Sequence, residues 1–517
     1  MHILFATSEA APFSKTGGLA DVCGALPKAL SQLGHKATIV TPLYKCVREY
    51  FERSGERLTP LRGVALDVRV GSVVKGAGVR HAKLAGSDVD VYFIEHDDYF
   101  YRDGLYNYQG VDYGDNCERY SFFCRAVLEL IAALDLDVDV LHANDWQTGL
   151  LPVFLEAAYK SRSRFASEPT SYFGVRPRLT DPELPPNRFD KIKSVLTLHN
   201  MRHQGRFWRG AMELTGLDWS YFSYDKMEFY GQLNLLKSGI VFSDAITTVS
   251  PSYAQEIQTE AFGEKLQGVL QNRAADLTGI LNGVDVDDWN PATDRFIAAN
   301  YDVDTVLENK PKCKAALQEQ LGLPVEARTP LFGVVSRFDE QKGLDLIADL
   351  AGEFIEKENV QFAILGSGDR GLTDRFMALA ARYPRNFAVR ATFSVELSHQ
   401  IEAGSDVFLM PSRYEPCGLN QMYSLRYGTL PLVRDVGGLR DSVVNASDEN
   451  IDAGVADGFI FYWGTPEDMA KAMDWALHCY RRRPNDWAKM MKTAMSLDLS
   501  WEQSARKYAE LYEKLIG

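Results

Sequence analysis

At roughly 100–200 residues per domain, the 517 residues of this chain predict about two to four domains. Hydrophobic residues make up 46% and charged residues 24% of the sequence, values typical of a globular protein that needs no covalent staples. The formal net charge of −14 argues against a nucleic acid as the main partner, although it leaves room for a local basic pocket.

The cysteines and the hydropathy pattern predict a compartment. Seven cysteines are scattered along the chain and form no CxxC pair, which is typical of a reducing environment. The first predicted strand begins at His2 with no basic and apolar leader before it, and no run approaches the ~18 apolar residues of a membrane span. We therefore expect a soluble cytoplasmic protein, or a processed protein of an organelle.

The first half of the chain alternates between predicted strands and helices. The strand at residues 2–6 leads through a glycine loop into an amphipathic helix at residues 19–33, a Rossmann-like opening that lacks GxGxxG. A second long helix is predicted at residues 115–134. Further strands are predicted at residues 36–40, 64–70, 73–82, 89–94, 138–142, 193–198 and 245–249.

A segment rich in Ser, Arg and Pro interrupts this pattern at residues 161–190, and we expect it to be a loop or a partly disordered insertion. The second half then repeats the alternation, which indicates parallel sheets. Its predicted strands are residues 331–335, 361–365, 387–390, 407–410 and 430–433. In the last predicted helix an apolar face, which must dock on another part of the chain, is formed by Trp501, Ala505, Tyr508, Tyr512 and Leu515.

Two cations precede a helix predicted at residues 343–357. Arg337 follows the strand at residues 331–335, and Lys342 stands directly before Gly343. Such a pair can hold a diphosphate, with the Arg as a bidentate fork and the Lys as a mobile point charge. A solvated basic loop is the alternative.

A second glycine turn lies near the amino terminus, where Lys15 and Thr16 precede Gly17 and Gly18 at a predicted helix start. Free N–H groups at a helix start attract anions. The alternative is that the glycines only allow tight packing.

Four other residues stand at strand ends or in loops. Glu415 follows the strand at residues 407–410, and it either binds a ligand or complements a helix dipole. His199 and Asp145 each follow a strand. Each of them either faces a ligand or is a core residue whose polar atoms are hydrogen-bonded within the protein. Cys417 is not supported as a nucleophile because no His can be assigned as its base. No His/Cys/Asp cluster has metal-ligand spacing, so we expect no metal site.

The motifs are more specific together than singly. They are SKTGGLAD at residues 14–21, HANDW at 142–146, HN at 199–200, LNGVD at 281–285, SR at 336–337 with QKG at 341–343, and PSRYEPCG at 411–418. This set closely resembles the family of bacterial glycogen synthases and plant starch synthases, which are ADP-glucose-using, retaining glucosyltransferases with the GT-B fold. The resemblance runs along nearly the whole chain, and KTGGL and EPCGL are its most specific motifs.

The resemblance implies catalytic roles. Arg337 and Lys342 would neutralise the diphosphate leaving group, in place of a divalent metal. Glu415 would bind the glucose hydroxyls and favour an oxocarbenium-like transition state. His199 would lie close to the reacting sugar, and Asp145 would line the acceptor side.

The resemblance also implies a set of donor-binding residues. Lys15 and the amides of Gly17 and Gly18 would meet the distal phosphate or the sugar, and Asp21 would steady their loop. The other residues expected on the donor side are Asn282, Phe393 as a stacking partner for adenine, Cys417, and Gly418 and Leu419 through their N–H groups.

The chain departs from the pattern of its relatives in three places. Many retaining GT-B enzymes carry a second Glu eight positions after the first, where this chain has Tyr423, which fits the synthases and disfavours UDP- and GDP-sugar relatives. His203 stands where the family usually has Tyr, which leaves the local acceptor contacts open. The insertion at residues 161–190 is longer than expected of bacterial members.

We therefore expect two Rossmann-like lobes with a cleft between them: an acceptor-side domain at residues 1–285, a nucleotide-sugar domain at 286–495, and a helix at 496–517 that packs back on the first domain. The expected reaction transfers glucose from ADP-glucose to the non-reducing end of an α-1,4-glucan (glycogen, starch or a maltooligosaccharide) in the cytoplasm or the plastid stroma. The alternatives are a UDP-glucose-using transferase and a glucan-binding scaffold without catalysis. A nicotinamide dehydrogenase is disfavoured by the missing GxGxxG.

Overall fold

This computed structural model describes residues 1–160 and 187–517. The predicted insertion therefore lies outside the described residues, except for residues 187–190. The chain divides into two compact units. The first unit comprises residues 1–249, 254–280 and 504–517, and the second comprises residues 250–253 and 281–503.

The strands of the described residues are between two and 12 residues long. In chain order they are β1 (His2–Ala6), β2 (Lys36–Pro42), β3 (Thr59–Val70), β4 (Val73–Lys83), β5 (Asp90–Glu95), β6 (Asn107–Tyr108), β7 (Val111–Asp112), β8 (Val140–Asn144), β9 (Lys193–Leu198), β10 (Arg206–Trp208), β11 (Glu228–Phe229), β12 (Gln232–Asn234), β13 (Ala245–Thr248), β14 (Leu277–Gly279), β15 (Leu331–Val335), β16 (Gln361–Leu365), β17 (Phe387–Arg390), β18 (Val407–Met410), β19 (Leu430–Arg434) and β20 (Phe459–Phe461).

The α-helices follow the strands as crossovers or cover the sheets. In chain order they are α1 (Gly18–Gln32), α2 (Lys45–Ser54), α3 (Asp97–Phe100), α4 (Asn116–Ala133), α5 (Leu150–Phe154), α6 (Met212–Thr215), α7 (Leu235–Phe242), α8 (Pro251–Glu256), α9 (Gln267–Asn272), α10 (Val306–Leu321), α11 (Leu344–Glu358), α12 (Arg370–Arg382), α13 (Val395–Gly404), α14 (Asn420–Arg426), α15 (Gly437–Ser442), α16 (Asp448–Ala453), α17 (Pro466–Arg482), α18 (Pro484–Met495) and α19 (Trp501–Ile516). None of these helices is both long enough and apolar enough to cross a membrane.

The first unit is built on a nine-stranded sheet in the order β14-β13-β9-β8-β1-β2-β5-β4-β3. Its strands run parallel from β14 to β5, whereas β4 and β3 are antiparallel additions at one edge. The chain order reverses between β1 and β8, and such a switch point is where open α/β sheets bind ligands, beyond the carboxyl ends of the strands.

The second unit is built on a six-stranded sheet in the order β17-β16-β15-β18-β19-β20, and its strands are all parallel. This is the Rossmann order, with the switch point between β15 and β18. Four of its strands have the bounds predicted from the sequence, and the fifth extends by one residue to Arg434. Two Rossmann-like units with parallel sheets confirm the predicted fold class.

The apolar face of α19 is buried. Ala505, Tyr508 and Tyr512 belong to the first unit and have almost no exposed area, whereas Trp501, which is 6% exposed, belongs to the second unit. The hydroxyl of Tyr512 lies 2.7 Å from Nδ1 of His142 in β8. Burial lowers the pKa of His142 to about 3, so the ring is neutral and its nitrogens serve as hydrogen-bonding groups.

Replacing Tyr512 by Phe should destabilise the protein, because the change leaves a buried imidazole nitrogen without its partner. We expect the free energy of unfolding to fall by about 1–3 kcal/mol, as measured by urea denaturation. Tyr224→Phe is the matched control, because it removes the same hydroxyl from a ring that is 84% exposed in the same unit. Equal stability of the two variants would contradict the assignment.

Candidate functional site

The loops that follow β15 and β18 meet at the switch point of the second sheet. Nζ of Lys342 lies 2.6 Å from Oε2 of Glu415. The hydroxyl of Ser412 donates to the same carboxylate oxygen at 3.0 Å. Glu415 is only 5% exposed, whereas Lys342 is half-buried. A desolvated carboxylate and a cation therefore stand together where the fold binds ligands.

Glycine at position 343 allows these loops to approach each other. Gly343 has φ +62°, and an added Cβ would lie 2.0 Å from the carbonyl oxygen of Pro411. The N–H of Arg413 donates to the carbonyl oxygen of Gln341 at 2.8 Å. The guanidinium of Arg413 forms a bidentate pair with Asp345, at 2.8 and 2.7 Å. These contacts fix Lys342 opposite Glu415.

Arg337 is exposed directly after β15. The next residue, Phe338, is buried, and its N–H donates to the carbonyl oxygen of Ser367. An added Cβ on Gly366 would lie 1.8 Å from the carbonyl oxygen of Ser336. Close backbone packing beside Arg337 thus explains the glycine at position 366.

The EPCG loop contains the predicted donor residues Cys417 and Gly418. Burial raises the pKa of Cys417 to about 12, so it remains a thiol rather than a nucleophile. Asn282 lies beside it, and within the described residues the buried Oδ1 of Asn282 has no hydrogen-bond partner. Leu419 precedes the first residue of α14, and Gly418 has φ +74°.

Two aromatic residues of the second unit differ in exposure. Phe393, between β17 and α13, is 83% exposed at the carboxyl edge of the sheet. Tyr423 is buried in α14 and stacks on Trp289, with ring centroids 3.8 Å apart and planes 4° apart. Only Phe393 offers a free ring face to a ligand.

In the first unit, Asp145 and His199 follow the neighbouring strands β8 and β9. The N–H of His199 donates to Oδ1 of Asp145 at 2.7 Å, and Asp145 has φ +55°. Burial raises the pKa of Asp145 to about 7. Burial lowers the pKa of His199 to about 3, so this ring is neutral. Its Nε2 lies 3.0 Å from Oδ1 of Asn144.

The loop with Lys15, Gly17 and Gly18 is exposed. Lys15 forms a 2.6 Å ion pair with Asp21, as a supporting role for Asp21 requires. An added Cβ on Gly17 or Gly18 would meet nothing within 4 Å, and Gly17 has an extended φ of −161°. Neither tight packing nor an unusual φ therefore explains the two glycines.

Glu9 is a candidate site residue that the sequence motifs did not indicate. It follows β1 at the switch point of the first sheet and is buried. Its carboxylate accepts from the N–H and the hydroxyl of Thr16, from the hydroxyl of Tyr106 and, at 3.3 Å, from the N–H of Gly17. The sequence signal that could have indicated Glu9 is its position in the loop that follows the first strand of a Rossmann-like opening.

Within residues 1–160 and 187–517, no group of three or more His, Cys, Asp or Glu residues is arranged to hold a metal ion. The expected site residues fall into two sets. The first unit contains Lys15, Gly17, Gly18, Asp21, Asp145 and His199. The second unit contains Asn282, Arg337, Lys342, Phe393, Glu415, Cys417, Gly418 and Leu419.

Comparisons with known proteins cover most of the chain. Residues 2–173 and 182–272 match the family model of the starch synthase catalytic domain, and residues 319–493 match that of the glycosyl transferases group 1. A glycogen synthase of Thermotoga maritima is 43% identical over 517 residues, which cover 100% of this chain and 99% of the relative. A glycogen synthase of Anaeromyxobacter is 44% identical and covers 100% of both chains.

A solved structure extends the likeness to three dimensions. The catalytic domain of starch synthase IV from Arabidopsis thaliana, bound to ADP and acarbose, aligns with a TM-score of 0.85 at 31% identity. The alignment covers 100% of this chain and 99% of that one. Sucrose-phosphate synthase of Thermosynechococcus elongatus has a TM-score of 0.57 at 15% identity, and thus shares the fold alone.

Asp145→Asn should alter the pH dependence of stability. The raised pKa of about 7 lies above the ~3.9 of an unfolded aspartate. The protonated carboxyl therefore contributes its full stabilisation when the pH is below ~3.9. This stabilisation decreases as the pH rises and is lost once the pH has passed through about 7. We expect the wild-type free energy of unfolding to fall relative to the Asn variant between about pH 5 and about pH 8, as measured by urea denaturation.

Asp139→Asn is the control for this measurement. Burial of Asp139 is outweighed by the N–H of His2 and by Lys191, so its pKa is lowered. Its stability contribution should be constant over the same pH range. An unchanged difference between wild type and Asp145→Asn across that range would show that Asp145 does not titrate there.

Proposed function

Because the chain belongs to the family of glycogen and starch synthases, which are glucosyltransferases, we propose that it transfers glucose from ADP-glucose to the non-reducing end of an α-1,4-glucan with retained anomeric configuration. The observation that carries this proposal is the 2.6 Å pair of Lys342 and Glu415 at the switch point of the second unit. A sugar diphosphate needs both a cation and a hydroxyl acceptor, and this pair offers both.

The second unit would bind the donor. Lys342 and the exposed Arg337 would neutralise the diphosphate as the bond from glucose C1 to the phosphate oxygen breaks and the electron pair leaves with the diphosphate. Lys342 would then exchange Glu415 for phosphate oxygens, which frees the carboxylate to accept from glucose hydroxyls. The anion would also favour positive charge that develops on the sugar ring.

The nucleoside would lie along the same sheet edge. Phe393 has an exposed ring that can stack on adenine. Asn282 would use its unpaired Oδ1 to accept from a donor hydroxyl, beside the buried thiol of Cys417. Gly418 and Leu419 would donate their N–H groups to the sugar or the phosphate.

The first unit would contribute the acceptor side. The open space at Gly17 and Gly18 suits a ligand, and Lys15 would supply charge to the distal phosphate. The N–H of Gly17 would first have to exchange its long bond to Glu9. Neutral His199 would act as a hydrogen-bonding group near the reacting sugar, and Asp145 would line the acceptor.

We also propose that the reaction needs no divalent metal, because Arg337 and Lys342 supply the positive charge for the diphosphate. Exchange of Lys342 between Glu415 and phosphate would replace one anionic partner by another. The charge at the leaving group would thus be balanced by the side chains themselves.

Glu415→Ala and Lys342→Ala should each lower kcat by about 10²–10³-fold, because each removes a charge that faces developing charge. Initial rates of ADP release with glycogen measure the effect. Lys357→Ala, which removes an exposed ion pair with Glu353 in the same unit, should leave kcat unchanged. Near-wild-type turnover by folded Glu415→Ala would refute the role of the carboxylate.

A donor competition assay tests the proposed reaction itself. With glycogen or a short maltooligosaccharide as acceptor, transfer from ADP-glucose should exceed transfer from UDP-glucose, and it should persist in EDTA. Preference for UDP-glucose would reassign the donor, and transfer from neither would indicate a glucan-binding scaffold. Loss of activity in EDTA that Mg²⁺ restores would overturn the metal-free account.

A further inference from the structure

The side chain of Gln421 is buried beneath the EPCG loop. Its Nε2 lies 3.1 Å from the carbonyl oxygens of both Cys417 and Gly418, and 2.9 Å from the hydroxyl of Ser442. Gln421 has no exposed area. One side-chain amide thus contacts two successive peptide carbonyls of the loop.

The other end of the loop is tied to α15. The N–H of Gly438 donates to the carbonyl oxygen of Glu415 at 3.1 Å. The hydroxyl of Ser442 donates to the carbonyl oxygen of Gly438 at 2.6 Å. An added Cβ on Gly438 would lie 2.2 Å from the carbonyl oxygen of Cys417. Gln421 and Ser442 therefore link the loop to the backbone that holds Glu415.

The carbonyl between these contacts is also bonded, since the hydroxyl of Ser250 donates to the carbonyl oxygen of Pro416 at 2.6 Å. Each carbonyl from Glu415 to Gly418 therefore accepts an internal hydrogen bond. In the described part of the chain, the N–H groups of Gly418 and Leu419 make none. Fixing the carbonyls fixes the peptide planes, and hence where these N–H groups point.

Glycine at position 418 is required by the same contact. Gly418 has φ +74°, and an added Cβ would lie 2.5 Å from Oε1 of Gln421. This oxygen is buried and has no partner within the described residues. An unpaired buried acceptor lowers stability. The same side-chain amide donates to the loop through its nitrogen.

We propose that Gln421 is a positioning residue for glucosyl transfer, which holds the EPCG loop so that the Glu415 carboxylate and the Gly418 and Leu419 N–H groups face the donor. The inference rests on the proposed function of this loop. Gln421 acts through the backbone and does not touch the substrate. Its loss should therefore weaken donor binding and turnover more than acceptor binding.

Gln421→Met tests this inference, because Met keeps an unbranched side chain of similar length but has no donor. We expect kcat/KM for ADP-glucose to fall by about 10²-fold, the usual cost of a ~1 Å misplacement. The dissociation constant for ADP, measured by calorimetry without acceptor, should rise by about tenfold or more. The KM for glycogen should stay within about twofold of the wild-type value.

Gln318→Met is the matched control. Gln318 is a fully buried glutamine of the same unit, and its Nε2 contacts Oε1 of Gln361 at 2.7 Å and the carbonyl oxygen of Glu326 at 3.2 Å. Gln361 is the first residue of β16, so this contact lies at the amino ends of the parallel strands, whereas the EPCG loop follows the carboxyl end of β18. The control should lower Tm by a similar amount but leave the kinetic constants of the folded protein unchanged.

Equal kinetic constants for folded Gln421→Met and wild type, or equal losses in both Met variants, would overturn the inference. If Gln421→Met fails to fold, Ser442→Ala gives the second test, because it removes one link of the network and should weaken ADP binding without affecting the KM for glycogen. The donor that the wild-type protein uses tests the proposed function, whereas the ratio of variant to wild type tests the role of Gln421. If wild type uses UDP-glucose, the same comparison is made with UDP-glucose and UDP, and the ratio of variant to wild type still decides the role of Gln421.

Discussion

The pairing of Lys342 with Glu415 sets the constraint on which the second unit depends. A carboxylate that is only 5% exposed is strongly disfavoured without a cation, and breaking a buried pair from one side costs about 3–5 kcal/mol. The contact is possible only because Gly343 brings its loop against Pro411. A diphosphate that took Lys342 would replace one anion by another for the lysine, and the freed carboxylate of Glu415 would then need hydrogen-bond donors from the ligand.

The first unit also has a buried carboxylate at the switch point of its sheet. Glu9 follows β1 and accepts from Thr16 and Gly17, just as Glu415 follows β18 and accepts from Lys342 and Ser412. In both units the carboxylate is hydrogen-bonded to a glycine-containing loop or to the residue beside it at the switch point. Both loops are therefore held by an internal carboxylate. Close approach explains Gly343, whereas an added Cβ on Gly17 or Gly18 would meet nothing within 4 Å.

The fold was predictable where strands were long enough to carry a pattern, as in strands β15 to β19 of the second sheet. Strands of two or three residues such as β10, β11 and β20 carry no period and were not predicted. Motifs indicated Arg337, Lys342 and Glu415 as candidate site residues. They did not indicate Glu9, whose contacts are the N–H groups of Thr16 and Gly17, the hydroxyl of Thr16, and Tyr106, a residue distant in sequence. The role of Gln421 depends on the orientation of carbonyl groups, which no residue pattern encodes.

Tyr423 shows how packing limits charge at the site. Many retaining GT-B enzymes have a second Glu there, but this ring is buried in a stack with Trp289, which in turn stacks on His399 at 3.9 Å. His399 is fixed by Asp294 at 2.8 Å. A Glu at position 423 would have to break this stack and place a second desolvated carboxylate in the helix that follows the EPCG loop. With an aromatic ring instead, position 423 adds no second carboxylate beside the pair of Glu415 and Lys342.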